Sequence, residues 1–337
     1  MRKLVTLFVL ITAACAVFAA EGYKVMGKIK IGGTGGWDYV AVDPNAHRLY
    51  ATHGTEVDVV DTEAGKVVGQ IPQLHGVHGV ALDTELGKGF ISNGQSNSVT
   101  IFDLKTLAKT GEPQTGQNPD SICYEPKTKR VFTFNGRSHD SSAIDAQTNE
   151  IVKTFPVGGK PEFCAADGAG KIYANLEDTS EIIEVDAAKP GVTRHASLSP
   201  CEEPSGLAID LKNKKLFSVC SNKMMAVVDI PSLKVIATPP IGGGPDAAAF
   251  DPGTGLAFSS NGSDATLSIV KLVNGKYETV DNVPTERGAR TMAVDTKTHR
   301  VYLLAAEFGP PPEAAPGQKK GRAPILPDSF HVLVVGK

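Results

Sequence analysis

Short apolar runs that close on an acidic residue, separated by polar turns, recur along the chain from Gly36 to its end. The first acids stand at Asp43, Asp83, Glu125, Asp167, Asp210, Asp251 and Asp295, so the steps are 40, 42, 42, 43, 41 and 44 residues. A second run in each unit ends at Asp61, Asp103, Asp145, Asp186 and Asp229, with Lys271 and Val335 taking that place in the last two units. Period and spacing mark a repeat architecture of seven units. Within a unit the pattern predicts four strands, as in WDYVAVD (37–43), HRLYATH (47–53), EVDVVD (56–61) and KVVGQIP (66–72). Val, Ile, Phe and Tyr dominate these runs, with partial alternation and no sustained 3.6-residue period. Turn clusters such as DPNAH and DTEAG separate them.

A four-stranded sheet of this size cannot bury both faces alone, whereas seven packed around an axis bury each face against a neighbour. The expected fold is therefore all-β, a seven-bladed β-propeller of four-stranded blades. The last unit supplies only RTMAVD, HRVYLLAA and FHVLVV. Its fourth strand is expected from YKVMGKIKI (23–31), which would close the ring and remove two open sheet edges. The units QNPDSICYEPKTKRVFTFNGRSHDSSAID and IGGGPDAAAFDPGTGLAFSSNGSDATLSIVK resemble the YVTN-type repeats of YncE-like seven-bladed propeller proteins. The resemblance covers nearly all of the chain after its leader. It implies an exported propeller, often of unassigned role, related in shape to surface-layer repeat proteins and to lactonases.

Composition refines the compartment. Arg2 and Lys3, then LVTLFVLITAACAVF, then small residues follow the order of a secretory signal, residues 1–20, with cleavage near Ala19 or Ala20. Residues 21–337 then form one propeller domain, periplasmic or secreted, with no further hydrophobic span and a monomer as the expected state. Cys15 follows Thr12, Ala13 and Ala14 in a weak likeness to a lipoprotein cleavage box, but the apolar run continues past it. Removing the leader takes the net charge from −3 to −5. That balance, with no Lys/Arg stripe interleaved with aromatics, speaks against nucleic acid, and KNKK (212–215) reads as a solvated turn.

Four cysteines remain, and an oxidising compartment permits disulfides. Cys201 precedes the first strand of the fifth unit and Cys220 ends its second, at the same sheet edge, so these two are expected to bridge. Cys123 and Cys164 stand two and three residues before their acids, on opposite faces of neighbouring strands, and are expected to be buried free thiols.

The repeat also locates a candidate pocket. Five residues before each acid stand Asp38, His78, Asp120, Glu162, Ser205, Asp246 and Arg290, which should ring one mouth of the central channel. Two carboxylates 4 Å apart at an effective dielectric of ~20 repel by about 4 kcal/mol, so converging acids need Arg290, a cation, water or a proton. Asp38, Asp120, Glu162 and Asp246 form the candidate metal set, and all-oxygen ligation would suit Ca²⁺ or Mg²⁺. The competing structural reading has these acids accept N–H bonds within their own turns. His75 and His78 make a His-x-x-His pair at the same mouth, read as wall residues before zinc ligands. Trp37, the only tryptophan, is placed either to stack on a ligand or to pack. Ten residues after each acid come His53, Asn93, Asn135, Glu177, Cys220, Asn261 and Ala305. The asparagines there are expected to terminate strands in the left-handed conformation. The last unit carries a Pro-rich insertion, 307–329, expected to be a lid or docking arm, or a polyproline-type loop.

Gly-x-Ser-x-Gly, His-Glu-x-x-His, Cys-x-x-Cys-His and the P-loop pattern are absent from the sequence. The leading expectation is a non-catalytic binding or scaffolding propeller that engages a small molecule or protein at the charged mouth. Its rival is a metal-dependent, lactonase-like hydrolase at that mouth, with His78 as base; a DNA-binding propeller comes third.

Overall fold

The computed structural model describes residues 22–312, 321 and 323–337. Residues 1–20, expected from the sequence to be a secretory signal, and the centre of the last-blade insertion lie outside them. Seven four-stranded antiparallel sheets make up the fold, each running from an inner strand a to an outer strand d. In blade one these are Val40–Asp43, Arg48–His53, Glu56–Asp61 and Lys66–Ile71. Trp37 and Asp38, read as part of the first strand, lie in the segment that enters it. Blade seven takes its outer strand, Lys24–Lys30, from the N-terminal side of the chain, where Lys24 pairs with Gly336 and Lys30 with His331. The ring is closed by that strand.

The periodic acids are turn residues with a definite task. Asp43 Oδ1 accepts the N–H groups of Asn45 and Ala46 at 2.9 and 3.1 Å, and Asp83 repeats this with Glu85 and Leu86. Asp295 does so with Lys297 and Thr298. The second series matches it: Asp61 accepts from Glu63 and Ala64, Asp145 from Gln147 and Thr148. A carboxylate that satisfies two turn donors fixes the a-to-b and c-to-d reversals. The chain then leaves the a-to-b turn through a positive-φ residue: His47, Gly87, Lys129, Lys214, Gly255 or His299.

The core is seven separate clusters, one per blade interface. Between blades three and four, for example, Cys123, Phe132 and Phe134 meet Cys164, Ile172, Ala174 and Ile183. Between blades seven and one, Tyr302, Leu304 and Val332 meet Leu49, Ala51 and Val60. Burial at ~25 cal/mol per Å² of apolar surface therefore stabilises blade against blade.

This stacking corrects one expectation. Cys123 and Cys164 are joined in a disulfide, with Cα atoms 6.2 Å apart, and are not free thiols. Neighbouring blades touch through opposite faces of equivalent sheets, so residues on opposite faces of adjacent strands are the ones that meet. Cys201 and Cys220 are also bonded, across 5.5 Å between Cα atoms, within blade five. The asparagine expectation changes too. Asn93, Asn135 and Asn261 are buried strand residues and do not take positive φ. They donate to Thr100 Oγ1, Ser142 Oγ and Ser268 Oγ at 3.0, 3.1 and 2.9 Å. Such buried amides lock strand b to strand c.

Candidate functional site

A belt of hydrogen bonds pins the mouth residues before their side chains are considered. Tyr39 N–H donates to the His78 carbonyl at 3.0 Å, and Ser92 Oγ to the Asp120 carbonyl at 2.9 Å. Ser121 reaches the Glu162 carbonyl, and Asn175 Nδ2 donates to the Ser205 carbonyl at 2.8 Å. Ser205 Oγ donates to the Pro245 carbonyl at 3.0 Å, Ser260 to that of Arg290, and Thr291 Oγ1 to that of Asp38 at 2.6 Å. Each blade is thus tied to the next at the channel wall. Six of the seven acceptors are carbonyls of mouth residues, which fixes where their side chains start.

The side chains face one another and not their own turns. His78 Nδ1 lies 2.6 Å from Asp38 Oδ2 and 3.5 Å from Asp120 Oδ1. Arg290 Nε donates to Asp246 Oδ2 at 2.7 Å, and its Nη2 stands 3.6 Å from Asp38 Oδ1. Lys160 Nζ is 2.8 Å from Glu162 Oε1 and also meets Glu177. Six of the seven sequence-chosen positions therefore bear the charged ring. Ser205 does not join them, since its hydroxyl is engaged with blade six.

The expected four-acid metal set is not what converges. Among the described residues, Asp38, His78 and Asp120 offer ligand atoms within 4.8 Å of one another, and neither Glu162 nor Asp246 belongs to that group. A basic side chain holds each of the latter two. His75 is exposed in the loop before Val77 and is not one of the three groups that converge.

Tyr39 and Phe163 lie beneath the ring, and sequence reasoning missed both. Their rings meet edge to face at 4.8 Å between centroids, joining blade one to blade four across the axis. Tyr39 is 6 % exposed. Burial, then the charges of Asp246, Asp120, Asp38 and Glu162, push its phenol well above the usual range. No signal marked them, because the equivalent positions elsewhere hold Gly79, Ser121, Gly206, Ala247 and Thr291. Lys160 was missed because it lies outside the repeat position that selected the ring.

The electrostatics follow from crowding. Burial first, then Asp38, raises Asp120 to about 6 against the pull of His78. Asp246 is likewise raised to about 6 by burial and Asp38, with Arg290 opposing. Glu162 is raised to about 8 by burial and Asp120, although Lys160 opposes. Burial pulls the His78 imidazolium down, yet Asp38, Asp120 and Asn118 together leave it raised.

Beside the ring a cavity of about 960 Å³ opens at the seam of blades six, seven and one. Asp246 and Arg290 lie on its ring side, Arg287 and Ser263 add polar groups, and Trp37, Phe308 and Ile325 form apolar wall. Trp37 is buried, stacked on Phe330 at 5.5 Å and tilted against Phe308 at 6.1 Å. The Arg290 guanidinium lies 5.9 Å over its ring. Tryptophan thus packs and lines the cavity at once. The two stems of the 307–329 insertion are ordered here: Gly309 N–H donates to the Pro324 carbonyl at 2.8 Å, and Leu326 N–H to that of Glu307 at 2.8 Å. They carry Phe308 and Ile325 to the cavity.

A second cluster sits within blade one. His53 Nδ1 is 3.0 Å from Asp58 Oδ2 and 3.6 Å from Glu56, and Gln70 donates to Asp58 at 2.7 Å. Its place in the blade is the one Asn135 and Asn261 take in theirs, which makes it the same cross-strand lock built from an imidazole and a carboxyl group.

No family model matches the chain. An uncharacterized protein YncE of Salmonella typhi is 27 % identical over 186 residues, covering 52 % of this chain and 51 % of that protein. Its counterpart in Salmonella typhimurium is 26 % identical over the same length. Antigen Lp49 of Leptospira interrogans is 28 % identical over 288 residues, 75 % of this chain and 60 % of Lp49. The matches span about half the length of the Salmonella relatives. Among solved structures, Kuenenia stuttgartiensis hydrazine synthase superposes with a TM-score of 0.70 at 16 % identity, covering 80 % of this chain and 92 % of that one. The last likeness shows the fold alone. The chain is a distant homologue of YncE proteins and Lp49, and a seven-bladed propeller.

Proposed function

We propose that this chain is an exported, non-catalytic propeller that binds a small molecule at the charged channel mouth. The cavity at the seam of blades six, seven and one carries the reading. At about 960 Å³ it lies within the range of small-molecule sites, and it combines apolar walls with a few fixed polar groups in the way such sites do. The Arg290–Asp246 pair and the packed Trp37 are held from several sides, which lowers the ordering cost of binding. Export is supported by the leader-like sequence, with the two disulfides as weaker support.

A melting-temperature panel of organic acids, amines and sugars tests the proposal. A ligand is expected to stabilise the wild type. Ser263→Trp places an indole from an exposed rim position into the cavity and should weaken that ligand at least about tenfold, whatever its charge. A panel without a binder, or a binder indifferent to Ser263→Trp, would speak against the cavity.

A further inference from the structure

We infer that Asp38, His78 and Asp120 form a site for one divalent transition-metal ion, bound through two carboxylate oxygens and the imidazole Nδ1. The inference is independent of the small-molecule cavity. It rests first on spacing. His78 Nδ1 stands 2.6 and 3.5 Å from the two carboxylate oxygens. Ligand atoms about 2.1 Å from a shared ion are separated by roughly 3 Å, so small shifts would admit one. The three groups arise from three blades, and their backbone carbonyls are held by the inter-blade belt.

Secondly, the imidazole is oriented as ligating histidines are. With Nδ1 turned to the carboxylates, the other ring nitrogen and the Asn118 side-chain oxygen both border Gly94, which places Asn118 on the Nε2 side of the ring. A partner that takes the Nε2 proton leaves the Nδ1 lone pair for a metal. Gly94 makes room for both: a Cβ there would stand 2.4 Å from His78 Nε2 and 2.6 Å from Asn118 Oδ1. Any larger residue would displace the pair.

Thirdly, the Tyr39 hydroxyl makes no hydrogen bond among the described residues, although the side chain is more than nine-tenths buried. The charges of Asp246, Asp120, Asp38 and Glu162 all bear on it. Its oxygen is not sealed from solvent, so it presents an unpartnered polar atom to the mouth, where water or an occupant of the ring would meet it. The three ligand side chains keep 18, 25 and 16 % exposure for Asp38, His78 and Asp120, so the ion has a path from solvent and free positions for water. Donor chemistry names the class. One imidazole with two carboxylates favours Mn²⁺, Fe²⁺, Co²⁺ or Zn²⁺ over Ca²⁺, which takes six to eight oxygens.

The test uses untagged full-length mature protein, stripped with EDTA and titrated calorimetrically with MnCl₂, ZnCl₂, MgCl₂ and CaCl₂. Expected are one Mn²⁺ or Zn²⁺ per chain, at least tenfold weaker Ca²⁺ and Mg²⁺, and loss of the site in Asp120→Asn. Asn118→Leu, which leaves every ligand in place, should lower affinity about 10–100-fold. X-ray absorption of the Zn²⁺-loaded wild type needs no variant and should read one imidazole among oxygen donors. No stoichiometric binding, a Ca²⁺ preference, sulfur or oxygen-only ligation, or binding unchanged in folded Asp120→Asn would each overturn the inference.

Discussion

The mouth divides into two arcs that treat the same residue type differently. In blades one to three, Asp38 and Asp120 share one imidazole, with Arg290 reaching Asp38 only from 3.6 Å. In blades four, six and seven, Glu162 has Lys160 at 2.8 Å and Asp246 has Arg290 at 2.7 Å. An acid with a permanent cation beside it is spoken for, even where burial and Asp120 favour its protonated form, as at Glu162. Two acids around one titratable ring are not, and negative charge that the protein leaves uncompensated is what a bound cation would answer. Proximity alone does not make a site; the difference lies in which acids already have partners.

The sharpest way to break the comparison is at the joint between the arcs. The Cys123–Cys164 disulfide ties the inner strand of blade three to that of blade four, three residues beyond Asp120 and two beyond Glu162. The bond closes a separation of 41 residues, for which chain entropy gives about 4 kcal/mol of stabilisation. The double substitution Cys123→Ser, Cys164→Ser should lower unfolding stability in denaturant by that order. It should do so more than Cys201→Ser, Cys220→Ser, whose separation is 19. Equal losses would show that the staple between the arcs has no special weight.

A smaller effect is expected from removing a cation within the second arc. Arg290→Gln deletes the partner of Asp246 and a donor to the Trp37 carbonyl. A part-buried carboxylate left without its charged partner costs about 1–3 kcal/mol. Adding Asp246→Asn should recover most of the loss, because the stranded charge goes with it. Failure of that rescue would mean that Arg290 acts through its packing over Trp37.

Acidity probes the border between the arcs more gently. Glu162 is raised from 4.5 to about 8, by burial and by Asp120, with Glu177 adding to it and Lys160 opposing. Such an acid keeps its proton in the folded chain where the unfolded chain has lost it. Its contribution therefore favours folding at low pH and is lost as pH rises from 4.5 towards 8. In EDTA, the wild type should lose stability across that window relative to Glu162→Gln, read from denaturation midpoints at successive pH values. Parallel pH profiles would count against the raised acid.

How much of this was written in the sequence differs between frame and mouth. The blades were legible because each turn needs a carboxylate at a fixed place, as at Asp43 and Asp295, and the repeat exposes that need. Ring membership was legible for the same reason: positions five before Asp43, Asp83 and Glu125 converge by symmetry. Pairing was not. Which acid takes Lys160, and which shares His78, depends on side-chain reach between blades that no spacing records. The Cys123–Cys164 bond was misread because alternation within one sheet says nothing of the face its neighbour presents. Tyr39 and Phe163 meet across the axis from non-adjacent blades, a contact that local pattern does not encode.

Ser205 supplies the mildest test, since it holds a ring position by symmetry and no ring chemistry. Its hydroxyl donates to the Pro245 carbonyl and so continues the belt from blade five to blade six. Ser205→Ala should cost about 0.5–1.5 kcal/mol, the worth of one hydrogen bond, in urea denaturation. Metal titrations and ligand melts should be unchanged by it. If Ser205→Ala altered Mn²⁺ or Zn²⁺ affinity as strongly as Asn118→Leu, position in the repeat would matter more than partner identity. The two arcs would then be one ring, and the division between claimed and unclaimed acids would fail.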